Sequence, residues 1–293
     1  MGQNVYIRRR VIAAASLLAT LVVIVVLAVL LVNTASNAGH DRVATASTHH
    51  LVPGGSRSGS GHGRGTTVAA TRRLIGCVPG GKSIVRSGPA TAKKEVALTF
   101  DDGPWDDPKS IDFVDELKRL HVPATFFEIG SQIPSFDRDG SIERAMLADG
   151  DMIGDHTWSH PDMTGLSPAE QRQELAWTID VIHARTGFTP CLWRPPYGDI
   201  DARLVALARK MGLITVMWDV DTRDWARPGT AAIVERATTD LPRGAIIIQH
   251  FGGGPRTQTL AAIPLEVAKL RREGYTFVTV TQMLGLKLVY GSR

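Results

Sequence analysis

Short apolar runs alternate with longer amphipathic stretches over the last two thirds of the chain, and this alternation sets the expected elements. Runs rich in β-branched and aromatic residues predict strands at 96–100, 124–129, 152–155, 191–194, 214–218, 245–248 and 275–278. Between them Ile111, Val114 and Leu117 recur at helical spacing within 110–120, and a second helix at 168–185 opens after Ser167 as an N-cap. Strands that alternate with helices predict parallel β/α units, and seven of them fit an incomplete or distorted barrel.

The first third follows a different pattern. Arg8, Arg9 and Arg10 precede an uncharged, strongly apolar run at 11–32, long enough to span a bilayer as a signal anchor. Residues 1–10 are then expected on the cytoplasmic side and the remainder outside, since arginines stay inside. Cleavage of the apolar segment, which would release a secreted protein, and a twin-arginine signal are the alternatives. Residues 33–75 are rich in Ser, Gly, Thr and Ala with few large apolar side chains, so they are expected to form a flexible linker. Residues 76–293 suffice for one α/β domain, expected to be monomeric.

Charge separates the same parts. The net +4 hides 12 basic against 2 acidic residues in 1–95, a balance of +10, and 21 against 27 in 96–293, a balance of −6. A nucleic-acid role requires the basic face on the folded domain, so it is excluded, whereas basic residues in the anchor and linker suit anionic lipid or wall polymers, or serve only to keep the linker solvated. Cys77 and Cys191 are the only cysteines, and on the oxidising side of a membrane a disulfide is the economical reading, with two buried free thiols as the alternative.

The chemistry gathers at strand ends. Asp101 and Asp102 close an apolar run just before Gly103-Pro104 forces a turn. Adjacent side chains on extended backbone point apart, so one carboxylate can hold a metal while the other stays free as a base. His156 and His160 stand four positions apart after another expected strand, close enough to face one ion. One carboxylate and two imidazoles make the three-ligand set of a catalytic zinc site with a position open for water.

These residues resemble the motifs of the polysaccharide deacetylases of carbohydrate esterase family 4. The first motif is similar to Thr99 to Pro104, the second to His156 to His160, and the third to Arg194-Pro195-Pro196-Tyr197-Gly198. The fourth is similar to Asp221-Thr222-Arg223-Asp224-Trp225 and the last to Ile246 to His250, with Phe251 where the family often has an aspartate. The resemblance implies a distorted (β/α) barrel and a metal-dependent hydrolase that removes N-acetyl groups from an extracellular amino-sugar polymer, and the expected anchor, which keeps the enzyme near the membrane, points to peptidoglycan. Other acetylated glycans and a catalytically weak glycan-binding wall protein are the competing readings. Asp102, His156 and His160 would hold one divalent ion, with zinc first and cobalt, nickel or manganese as substitutes. Asp101 would be the general base, oriented by Arg194; the Tyr197 backbone N–H would hold the oxyanion; His250 would be the general acid, kept protonated by Asp224. Tyr197, Trp225 and Ile248 would line the substrate site. Asp219 and Asp221 compete with Asp224 as the carboxylate facing His250, and the departure at Phe251 is expected to reshape the rim of the site.

Overall fold

The computed structural model describes residues 72–89 and 93–292. The cytoplasmic segment 1–10, the anchor 11–32 and most of the linker 33–75 lie outside the described residues. Among those described, no helix is long and apolar enough to cross a membrane.

Among the described residues eleven strands follow in chain order: β1 (Arg73–Val78), β2 (Ile84–Val85), β3 (Glu95–Gly103), β4 (Thr125–Glu128), β5 (Met152–Asp155), β6 (Leu192–Trp193), β7 (Ile214–Val216), β8 (Val220–Asp221), β9 (Ala245–His250), β10 (Thr276–Phe277) and β11 (Lys287–Gly291). All seven expected strands are present. The strand β1 starts at Arg73, so residues 73–75 belong to the folded domain and not to the linker.

Nine strands form one sheet in the order β2-β7-β6-β5-β4-β3-β9-β8, with β10 also paired to β3, and every pairing is parallel. The count exceeds the expected seven because β2 and β8, two residues each, extend the two edges. No pairing joins β2 to β8 among the described residues, so the barrel is open. The strands β1 and β11 form a separate antiparallel ribbon.

The period-two alternation of β3 divides its side chains between two surroundings. Val96, Leu98 and Phe100 pack with Phe113, Val114 and Leu117 of the helix Ser110–Leu120, all of them buried. Removing one such side chain from water contributes about 1.5–3 kcal/mol. On the opposite face Thr99 and Asp101 both meet Arg194. The helix Pro168–Thr186 opens after Ser167 as N-cap, as the sequence predicted, and Glu170 completes a reciprocal cap with it.

Cys77 on β1 and Cys191 just before β6 form a disulfide with a Cα–Cα separation of 5.6 Å. It ties the ribbon to the N-terminal ends of the sheet strands. The opposite, C-terminal ends carry the motif residues, as parallel β/α architecture favours.

Candidate active site

The strand β3 runs through Gly103 instead of ending at Phe100, so both carboxylates belong to the strand itself. Its pairing with β4 slips between Asp101 and Gly103, which makes Asp102 the extra residue of a bulge with φ +75°. A bulge re-aims a side chain, and here it turns Asp102 out of the alternation that Asp101 still obeys.

Asp102 Oδ1 lies 3.3 Å from His156 Nε2 and 3.2 Å from His160 Nε2. The Nδ1–H of His156 donates to the Arg194 carbonyl oxygen at 2.7 Å. A carbonyl only accepts, so this bond places a proton on Nδ1 and turns Nε2 toward Asp102. Asp102 Oδ1 is buried without a hydrogen-bond partner. Burial alone would raise the Asp102 carboxyl, but the close approach of His156 and His160, with His250 further off, holds it well below the ordinary range. One ligand atom from each of the three residues lies within 4.8 Å of the others. One carboxylate oxygen and two imidazole nitrogens converging on one point are a fitting donor set for a divalent cation.

Arg194 follows β6 and is fully buried. Its Nη1 donates to Asp101 Oδ1 at 2.7 Å and to Thr99 Oγ1 at 2.8 Å, and its Nε donates to the Val216 carbonyl at 3.1 Å. The guanidinium also stacks 4.2 Å from the Phe127 ring centroid. A buried cation without such partners would be costly. The other Asp101 oxygen, Oδ2, lies 3.8 Å from His156 Nε2, beside the three-residue cluster.

Across the cleft, His250 Nδ1 donates to Asp224 Oδ1 at 2.7 Å. Asp224 Oδ2 accepts from the His250 backbone N–H at 2.9 Å and from Thr259 Oγ1 at 2.8 Å. Burial would lower the His250 pKa, yet the hydrogen bond and charge of Asp224, with Asp102 and Asp101, raise it above the ordinary value. The competing carboxylates are occupied elsewhere: Asp219 accepts from the Ile246 N–H and Asp221 from the Arg223 N–H.

Asp101, Asp102, His156, His160, Tyr197, Trp225, Ile248 and His250 all line one cleft of about 480 Å³. Tyr197 is 66% and Trp225 49% exposed, so both rings face outward at its mouth. Tyr197 sits at φ +61° in the turn after Pro195-Pro196, with its ring 4.8 Å from that of His160. Arg194 and Asp224 stand behind the cleft wall and act on it through Asp101 and His250. Phe251 does not shape the rim: it is fully buried, 5.0 Å from Phe126 and 6.3 Å from Phe113.

Sequence reasoning missed Thr99 and Thr259 as partners of the site, and Trp218 as part of its lining. Thr99 stands two positions before Asp101, so the strand period pointed to it. Nothing in the local sequence marks Thr259, which reaches Asp224 from a helix 35 positions further on.

Residues 88–216 match the family described as polysaccharide deacetylase. A peptidoglycan-N-acetylglucosamine deacetylase, PgdA, of Listeria monocytogenes is 33% identical over 204 residues, 70% of this chain. The chain spans 42% of that relative's length. A peptidoglycan-N-acetylglucosamine deacetylase of Bacillus cereus is 34% identical over 202 residues, 67% of this chain and 90% of the relative. Among solved structures, the Bc1960 peptidoglycan N-acetylglucosamine deacetylase, in complex with a naphthalenyl N-hydroxybenzamide, superposes with a TM-score of 0.65 at 32% identity, covering 69% of this chain and 93% of that one.

Proposed function

Because this chain belongs to the polysaccharide deacetylase family, we propose that it is a metal-dependent hydrolase removing N-acetyl groups from an extracellular amino-sugar polymer, with peptidoglycan N-acetylglucosamine as the substrate. The observation that carries this reading is the convergence of the unpartnered Asp102 Oδ1 on His156 Nε2 and His160 Nε2.

Asp102, His156 and His160 would hold a divalent ion, zinc in the first instance, which would supply Lewis acidity toward the acetamide carbonyl and the attacking water. Asp101 takes a proton from that water through Oδ2, while Arg194 holds Oδ1 and fixes the carboxylate plane. The Tyr197 backbone N–H faces the tetrahedral oxyanion. His250 binds Asp224 through Nδ1, which leaves the Nε2 proton for the departing amine nitrogen as the C–N bond breaks. Trp225 and Ile248 enclose the acetyl methyl group. Acetate and a free amino sugar are the products.

The apolar run 11–32 is read as a single membrane-spanning anchor that keeps a monomeric catalytic domain outside the cell, near the wall. Acetate release from peptidoglycan and from acetylated chitooligosaccharides, with and without chelator, tests the reading. Chelator-sensitive release is the expected result. A metal-loaded protein that binds these glycans and releases no acetate would make it a binding protein instead.

A further inference from the structure

Asp102 carries the ligand oxygen on a bulge, and something must stop its side chain from turning away. The segment after His250 does this in an unusual manner. A side chain at Gly252 would overlap the Asp102 carbonyl, and one at Gly253 would lie 2.7 Å from Asp102 Oδ2 and 3.3 Å from its Cβ. Bare glycine backbone therefore packs directly against the carboxylate, on the oxygen that does not face the imidazoles. Gly253 also needs its φ of +70°.

A glycine-rich turn is loose unless it is held. The side chain of Arg256 is buried and folds back over this one, its Nε donating to the Gly252 carbonyl at 2.8 Å and its Nη2 to the Gly253 carbonyl at 3.3 Å. Its backbone N–H donates to the Asp107 carbonyl at 3.3 Å, tying the turn to the loop that follows β3. One planar fork thus fixes two successive carbonyls, which a lysine ammonium cannot do with the same geometry. Upstream, a side chain at Gly103 would overlap the Phe251 ring, so Phe251 closes the other flank of the bulge.

We propose that Arg256 is a positioning residue that acts through the Gly252-Gly253 turn to hold Asp102 Oδ1 on His156 and His160, and so sets the affinity of the metal site. The inference rests on the metal-dependent reading above. Two effects of Arg256 oppose each other in sign. Its positive charge repels a cation, so removing the charge alone would tighten binding. Releasing the turn frees Asp102 and weakens binding.

Calorimetric titration of the metal-free full-length chain with zinc separates them. Arg256→Gln is expected to raise the zinc Kd by about tenfold or more, the range found for residues that orient metal ligands. Arg256→Lys, which keeps the charge and loses the fork, should also bind more weakly than wild type. Gly253→Ala should weaken zinc in the same direction while leaving Arg256 in place. Unchanged or tighter zinc binding by Arg256→Gln, with wild-type thermal stability, overturns the inference and leaves the metal-dependent reading intact. A wild-type chain that binds no zinc removes the metal-dependent reading and this inference with it.

Discussion

Arg194 meets Asp101 twice over: its Nη1 donates to Oδ1 at 2.7 Å, and its backbone carbonyl receives the His156 imidazole, whose Nε2 lies 3.8 Å from Asp101 Oδ2. One buried residue therefore holds both the carboxylate proposed as base and the ring of His156, a proposed metal ligand. The two acids at the end of β3 consequently stand in different electrostatic settings, although they are consecutive in sequence.

That difference makes their substitutions separable. Asp102→Ala should lose zinc, measured by elemental analysis of protein purified without added metal. Asp101→Asn should keep the metal and lose acetate release by about 10²-fold or more, the scale of general-base catalysis. Equal metal content and equal activity in both variants would contradict the division between them.

The pairing of His250 with Asp224 predicts a pH dependence. An acid catalyst must be protonated, so acetate release should fall on the alkaline side as His250 loses its proton, at a pH above the ordinary imidazole value because its pKa is raised. Asp224→Asn removes the charge that favours the imidazolium and should move this limb toward lower pH. A limb that stays in place would argue that another group carries the proton.

Several of these relationships were legible in the residues alone, for a physical reason. Parallel strands end on one side of a sheet, so Asp101, His156, Arg194 and His250 could be gathered without any long-range information. The rest depends on contacts that no local pattern encodes. The strands β2 and β8 are two residues long and exist because β7 and β9 offer free edges. The direction of Phe251 is decided by the aromatic cluster of Phe113 and Phe126, and the bulge at Asp102 by its mismatch with β4. Asp224, among three candidate acids, is selected by its contacts with the His250 ring, the His250 backbone and Thr259.

The Cys77–Cys191 disulfide closes a sequence separation of 114 residues. Chain-entropy estimates for a loop of this size give about 4–5 kcal/mol. For a domain of this length, Cys77→Ser with Cys191→Ser should lower Tm by roughly 10 °C, measured by differential scanning calorimetry. The cleft is built from the other ends of the strands, so acetate release at 25 °C should persist in the double variant.

Buried acids outside the cleft predict a second pH effect, on stability. Burial pushes the Asp151 carboxyl up to about 7, although its Oδ1 accepts the Ala124 N–H at 2.8 Å. Burial likewise pushes Glu266 up to about 8, despite its hydrogen bond with Gln249. Both groups keep a proton in the folded state that the unfolded chain releases near pH 4. Their stabilising effect is complete below about pH 4 and is lost as pH rises through 7 and 8, with a slope of up to about 1.4 kcal/mol per pH unit for each group. Asp151→Asn keeps the acceptor oxygen and removes the titration, so the difference in urea midpoint between pH 5 and pH 8 should shrink relative to wild type.

The antiparallel ribbon of β1 and β11 brings the entry and exit of the folded domain side by side, and Cys77 staples that ribbon beneath the sheet. The ribbon therefore lies toward the N-terminal ends of the sheet strands, whereas the cleft is built from their C-terminal ends. Substitutions within the ribbon should therefore tell on the stability of the domain and leave the geometry of the cleft mouth unchanged.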